Sequence, residues 1–266
     1  MRFVVLMKQV PADTGVEMNA DYTVDRRNAQ KITNPADLSA LATAAEWKTH
    51  TGAELVCLTM GPASAAQTLR EGAMAGADRL YHICDPALAG ADTFVTAYVL
   101  AAAIRQLGGA DLIFCGRHTV DGETGQVGAE LAAMLGYACI SQVLQIEALE
   151  PEAVTCVCLL SGAQAQYRLL RPAVLCVCEC RHTTVLPSLA VMRKARQLMI
   201  QTWTLAELGL SGLSGRGASP TKVCGVHRMA RSRRSGIRVP AAQIVQILRE
   251  MGGEVKRWGQ KWNTGS

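Results

Sequence analysis

One spacing constrains the fold of this chain more than any other feature. Near-continuous apolar runs, RFVVLMK (2–8), AELVCLTMG (53–61), DRLYHIC (78–84) and DLIFCG (111–116), recur through the first 135 residues, and a helical pattern separates each from the next. A strand that is apolar at every position is covered on both faces, and strands that alternate with helices pair in parallel. The expected fold class is therefore α/β, a doubly wound, mostly parallel sheet with helices on both faces. The helices carry their own punctuation. In NPADLSALATAAEWKTHTG (34–52), Pro35 and Asp37 mark a start and Gly52 stands where a C-terminal cap belongs. ASAAQTLREGAMAG (63–76), DTFVTAYVLAAAIRQLG (92–108) and TGQVGAELAAMLG (124–136) follow, the last closed by Gly136.

Beyond residue 140 the period shortens. SQVLQIEAL (141–149), AVTCVCLL (153–160), QYRLLRP (166–172) and AVLCVCE (173–179) read as strands joined by tight turns. They are expected as antiparallel strands, either added to the same sheet or forming a small second one. SLAVMRKARQ (188–197) reads as a short helix or loop, and GLSGLSGRGASPT (209–221) as a flexible link. PAAQIVQILREMGG (240–253) is amphipathic, with Ile244, Ile247, Leu248 and Met251 on one face, so that face requires something to pack on. The expected organisation is an α/β domain over 1–205, a linker over 206–239, and a C-terminal arm of helix and tail over 240–266.

Composition narrows the class. With 266 residues, 49% of them hydrophobic, the chain buries a sizeable core. No apolar run reaches the 18 or so residues of a membrane span. MRFVVLMKQV is a strand signal and lacks the cleavage site of a signal peptide, so the expected setting is cytoplasmic, without membrane insertion. The ten cysteines do not read as a disulfide framework in so core-rich a chain. Cys156 and Cys158, and Cys176, Cys178 and Cys180, alternate along strands, where a free cysteine packs as a small hydrophobe, and none has zinc-type spacing. The net charge of +5 gathers partly in HRMARSRRSGIR (227–238), with five arginines: a solvated linker first, a contact for an acidic partner or nucleic acid second, the last weakened because no aromatic interleaves the arginines.

The chemistry-bearing stretch is CGRHTVDGETGQVGAELAAML (115–135), a glycine-rich loop set between a strand and a helix. In an open parallel sheet, ligands bind beyond the carboxyl ends of the strands, where helix N-termini offer unpaired N–H groups to a phosphate. Gly122 to Gly128 thus reads as a phosphate cradle, with Thr124 and Gln126 as added donors and Asp121 capping the loop or facing a ribose. The same spacing also fits a plain strand-to-helix turn. It matches neither the dinucleotide nor the P-loop pattern. A second loop, LAGADTFVTA (88–97), places Gly90, Asp92 and Thr93 before a helix, with Asp92 a good N-cap. Among five histidines only His118 lies in a candidate loop, and no catalytic constellation is present.

Together these stretches resemble the beta subunit of electron transfer flavoproteins. VVLMKQVPADT resembles that family's first strand and loop, and ITNPADLSALATAAEWK its Asn-Pro helix start. LTMGPASAAQTLREGAMAGADR resembles its Met/Cys-Gly-Pro segment, CGRHTVDGETGQVGAELA its nucleotide loop, and VLPSLAVMRKAR its partner-recognition loop. The likeness runs in order over most of residues 1–222. It implies a heterodimer with an alpha subunit that carries electrons to or from a flavin dehydrogenase, such as an acyl-CoA dehydrogenase. The beta subunit of that family holds either AMP or a second FAD. GADTFVTA and DGETGQVG are similar to the FAD-binding group that bifurcates electrons from NADH. The resemblance places Leu6 and Met60 by the adenine or nucleotide rim. It places Asp92, Thr93 and Thr96 on the flavin side, and Gly116, Arg117 and Asp121 at the start of the main loop. Thr124, Gly125, Gln126, Val127 and Gly128 would hold the phosphates, Gly122 and Gly125 would leave room for a flavin diphosphate, and Arg117 would stabilise a reduced ring. Leu189 aligns with the anchor for a dehydrogenase, within a recognition loop over about 183–198, and the C-terminal arm would pack on the alpha subunit. His118, Thr119, Glu123, Gly125 and Ala190 depart from the usual residues, and VGAE lacks the proline common in the bifurcating group. An adenylate-binding module without a redox role is the reading from a different class.

Overall fold

The computed structural model describes residues 1–12, 30–179, 187–224, 240 and 243–250. They belong to two units, Met1–Cys224 and Gly225–Ser266. The first unit runs β1 (Arg2–Leu6), β2 (Gln9–Pro11), β3 (Lys31–Thr33), α1 (Pro35–Thr51), β4 (Glu54–Met60), α2 (Ala66–Met74), β5 (Arg79–Ile83), α3 (Thr93–Gln106) and β6 (Leu112–Gly116). It continues with α4 (Val127–Leu135), β7 (Ala138–Leu149), β8 (Ala153–Leu160), β9 (Ala163–Leu170), β10 (Ala173–Val177), α5 (Leu189–Gln197), β11 (Ile200–Trp203) and α6 (Gly215–Ala218).

Nine strands form one sheet in the order β11-β5-β4-β1-β6-β10-β7-β8-β9. The seven from β11 to β7 are parallel, and β8 and β9 continue the same sheet antiparallel. The expected doubly wound, mostly parallel α/β sheet is therefore the fold, and the antiparallel strands are an extension of it. One strand differs from expectation. β10, read as the last of an antiparallel run, enters between β6 and β7 and pairs in parallel with both. Its apolar pattern states that it is buried, not which strands it joins. β11 and the small β2–β3 pair were not legible as strands.

Alternation sorts the core into two layers. Phe3, Val5 and Met7 face the cluster with Ala40, Leu41 and Ala44 of α1 and Leu69 of α2. Val4 and Leu6 face the other cluster, with Val99, Ala103 and Ile104 of α3 and Leu131 of α4. On α1 the buried ridge is Ala36, Ala40 and Ala44, an i, i+4, i+8 row whose small side chains let the helix lie close to the sheet. Gly52 and Gly136 close α1 and α4 in the left-handed conformation, with φ of 68° and 71°, as their positions in the sequence lead one to expect.

The stretch read as a flexible link, 209–221, is folded onto the first unit instead. Leu205 and Leu208 are buried beside it, Gly215 packs on the backbone of Leu88, and Ser219 and Thr221 bond to Asp92. The Gly/Ser content supplies turns and close approaches here. Residues 243–250 of the second unit are helical, with Ile244, Val245 and Leu248 exposed. The Arg-rich stretch 227–238 and the tail beyond residue 250 lie outside the described residues. No helix among the described residues is long and apolar enough to cross a membrane.

Candidate functional site

The chain passes outward from β1 to β4 and β5, then crosses back to β6 on the other side of β1. That reversal is the topological switch point, where open α/β sheets place their ligands. A cavity of about 530 Å³ opens there, at the carboxyl ends of β1, β4 and β6, within the ~300–1,000 Å³ range of small-molecule sites. A larger hollow of about 710 Å³ lies at the opposite, amino ends of the strands. Both of its arginines are taken up by carboxylates of the same hollow, Arg2 by Glu54 and Arg171 by Asp111, and we assign the site to the carboxyl end.

Of the residues singled out in the sequence, Leu6, Met60, Thr96, Gly116, Arg117, Thr124, Gly125, Gln126, Val127 and Gly128 all line this cavity. Asp92, Thr93, Asp121 and Gly122 stand outside its lining. Asp92 is the N-cap of α3: its Oδ1 accepts from Val95 N–H at 3.0 Å and its Oδ2 from Thr221 N–H at 2.9 Å. The Thr93 hydroxyl donates to Glu130 Oε1 at 3.1 Å, tying α3 to α4. Asp121 holds the Lys8 ammonium. Gly122 is not in the left-handed region, and its nearest neighbour is Thr119 Oγ1 at 3.6 Å, so nothing there demands a glycine. Leu189 opens α5, far along the chain from these loops, and is 74% exposed.

Two glycines of the loop do different work. Gly125 has φ +62°, where a side chain is strained, and a Cβ would sit 3.3 Å from Arg117 O. Gly128, in the first turn of α4, rests on two sulfurs: a Cβ would lie 2.4 Å from Cys176 Sγ and 3.0 Å from Cys115 Sγ. It is a packing glycine that brings the helix down onto β6 and β10. The helix begins at Val127, three residues later than its sequence pattern suggests. Among the described residues, the backbone N–H groups of Thr124, Gly125 and Gln126 donate to no protein acceptor. They precede the positive end of α4 and line the cavity.

The loop is positioned by residues that sequence reasoning took only for a helix start. The Asn34 side chain, fully buried, donates to His118 O at 2.9 Å and accepts from Val120 N–H at 3.2 Å. Asp37 accepts from Lys8 N–H at 2.8 Å and from Gly116 N–H at 2.9 Å, joining the ends of β1 and β6. Burial pushes the Asp37 carboxyl up to about 6, against the pull of those N–H donors and the Asn34 side chain. Gly116 is obligatory in this arrangement, since a Cβ would meet Asp37 Oδ1 at 2.5 Å. Lys8, Gln9 and Asp37 line the cavity and were missed. Their only local signals were the KQ pair after the first strand and the N-P-x-D spacing.

A second, polar hollow of about 390 Å³ shares Arg117, His118, Thr124 and Gly125 with the first and adds Glu123, Ser141 and Gln142. Glu123 and Gln142 both take positive φ, 50° and 62°, and backbone strain of this kind collects at functional sites.

A family model described as "Electron transfer flavoprotein domain" matches residues 21–208. The chain is 32% identical over 258 residues to Protein FixA of Bradyrhizobium diazoefficiens, covering 93% of this chain and 90% of that one. It is 34% identical over 226 residues to the caffeyl-CoA reductase-Etf complex subunit CarD of Acetobacterium woodii, covering 84% and 86%. It is 34% identical over 235 residues to the electron transfer flavoprotein subunit beta of Megasphaera elsdenii, again covering 84% and 86%.

Proposed function

The chain belongs to the electron transfer flavoprotein beta-subunit family, and from that premise we propose that its switch-point cavity holds FAD. In this reading the chain assembles with an alpha subunit in the cytoplasm, takes electrons from NADH and bifurcates them toward a partner flavin dehydrogenase. The observation that carries the reading is the set of N–H groups at Thr124, Gly125 and Gln126, residues that line the cavity just before α4 and whose N–H groups find no acceptor among the described residues. Such a set suits the oxygens of a diphosphate. A flavin bound here would supply one- and two-electron transfer.

The chain's own residues do the holding. Leu6, Leu58, Met60, Ala65 and Leu100 form an apolar wall that keeps water from one end of the ligand. Arg117 lines both hollows and brings a positive charge to their shared wall, which favours an anionic group. The second hollow extends the space beyond what a mononucleotide needs, which favours FAD over AMP. The name of the CarD relative, a reductase-Etf complex subunit, supports a partner that acts on an acyl-CoA.

The test is to purify the chain with its alpha subunit, extract the cofactors and count them. Two FADs per heterodimer are expected; one FAD with one AMP rejects the FAD assignment. Gly125→Asp is expected to empty the cavity, because a side chain at φ +62° is strained and its charge opposes a phosphate. Full nucleotide content in that variant rejects the cradle itself.

A further inference from the structure

Lys8 is anchored more firmly than an ordinary surface lysine. Its N–H donates to Asp37 Oδ2 at 2.8 Å and its C=O accepts from Asn34 N–H at 2.8 Å. The side chain therefore springs from a fixed base at the end of β1. Its Nζ donates to both carboxylate oxygens of Asp121, at 2.9 and 3.0 Å. The Lys8 side chain is 46% exposed while that of Asp121 is 11% exposed. The pair thus fastens the nucleotide loop across the mouth of a cavity that Lys8 itself lines.

An ammonium carries three donors, and Asp121 takes two of them. The ionisable side chains lining the cavity include Lys8 and Arg117 as cations and Asp37 as the carboxylate. Asp37 is committed to the N–H groups of Lys8 and Gly116. On the same loop, Thr124 to Gln126 offer donors with no acceptor among the described residues.

We propose that Lys8 is an additional ligand-binding residue whose remaining donor takes a phosphate oxygen of a nucleoside diphosphate, so that the ligand and Asp121 share one ammonium. The inference rests on the nucleotide reading of the cavity. It gives Lys8 two tasks at once. It sets its positive charge against the Asp121 carboxylate, between that group and the diphosphate. It also links loop, lysine, phosphate and loop N–H groups into one circuit, so that ligand binding itself holds 117–126 in place. The alternative is that Lys8 only props the loop through Asp121.

The experiment titrates the full chain, freed of bound nucleotide, with ADP and with adenosine, as wild type, Lys8→Gln and Asp121→Asn. ADP affinity is expected to fall about tenfold or more in Lys8→Gln, the loss of one charge-assisted phosphate contact. Adenosine affinity should change less than about twofold, because no phosphate is present to lose. Asp121→Asn should bind ADP as tightly as wild type or more so, since it removes a repelling charge and leaves the lysine. Equal losses for ADP and adenosine in Lys8→Gln, or an ADP loss in Asp121→Asn matching that of Lys8→Gln, assign Lys8 to loop support and overturn the proposal. Should Lys8→Gln not fold, the Asp121→Asn arm decides: weakened ADP binding overturns the proposal, and retained or tightened binding supports it. If adenosine and ADP both fail to bind wild type, the nucleotide reading falls and takes this one with it. Adenosine and ADP binding with equal affinity overturns the phosphate contact alone.

Discussion

Substituting Gly128 by alanine separates a packing role from a ligand role. The new methyl carbon would lie 2.4 Å from Cys176 Sγ and 3.0 Å from Cys115 Sγ. Those sulfurs are 3.6 Å apart, and their residues are only 3% and 7% exposed, so neither can swing away into solvent. Relief must come from lifting the first turn of α4 off the sheet. Overpacking of this kind costs about 1–3 kcal/mol. Alanine returns up to about 1 kcal/mol through its higher helix propensity. The net expectation is a destabilisation of about 1–2 kcal/mol, or roughly 2–8 °C in melting temperature for a chain of this size. The assay is thermal or urea unfolding of four proteins: wild type, Gly128→Ala, Cys176→Ala and the double variant. Removing the Cys176 sulfur makes room, so the double variant should be more stable than the sum of the single losses predicts, with a coupling of about 1 kcal/mol. Additive losses, or a Gly128→Ala protein that melts normally but binds ADP more weakly than wild type, would refute the packing argument and assign Gly128 to ligand binding.

Two further outcomes follow from burial. Asp37 is pushed from an ordinary 3.8 up to about 6, so its protonated form is favoured in the fold; the stability it contributes is complete below about pH 4 and is lost as the pH rises through 6, about 3 kcal/mol in all. Urea midpoints should show wild type losing stability relative to Asp37→Asn between about pH 4 and pH 7, and parallel curves for the two proteins would contradict this. Leu189→Ala removes a side chain that is 74% exposed, so melting should shift by less than about 0.5 kcal/mol. Affinity for the partner dehydrogenase should fall roughly thirtyfold if the residue is an interface anchor, and turnover at unchanged affinity would exclude that role.

Local patterns carried the layered architecture. Apolar runs marked β1, β4, β5 and β6, and Gly52, Gly136 and Asp92 marked helix ends, because burial and capping are written within a few residues of where they act. The place of β10 was not legible, since its run AVLCV fits a hairpin strand and a central parallel strand equally well. The glycine loop announced the site, yet not which glycine serves which purpose. Gly128 answers to Cys176, a residue with no sequence signal pointing back to it. The positioning network of Asn34, Asp37 and Lys8 joins segments from 29 to 113 residues apart, beyond the reach of any periodicity. The Gly/Ser stretch misled for the opposite reason: its composition suits both a free tether and a closely packed turn, and only Leu88 and Asp92 decide between them.

The insertion of β10 between β6 and β7 also sets a timetable for biosynthesis. Cys176 reaches Cys115 across 61 residues of chain, and Thr221 reaches Asp92 across 129. At ribosomal speeds of about 5–20 residues per second, the cavity-bearing β6 waits roughly 3–12 s with one flank bare while the antiparallel hairpin is made. An open, apolar strand edge in a nascent chain invites pairing with the wrong neighbour. The cavity is therefore complete only late in translation, and chaperones have the intervening seconds in which to shield that edge.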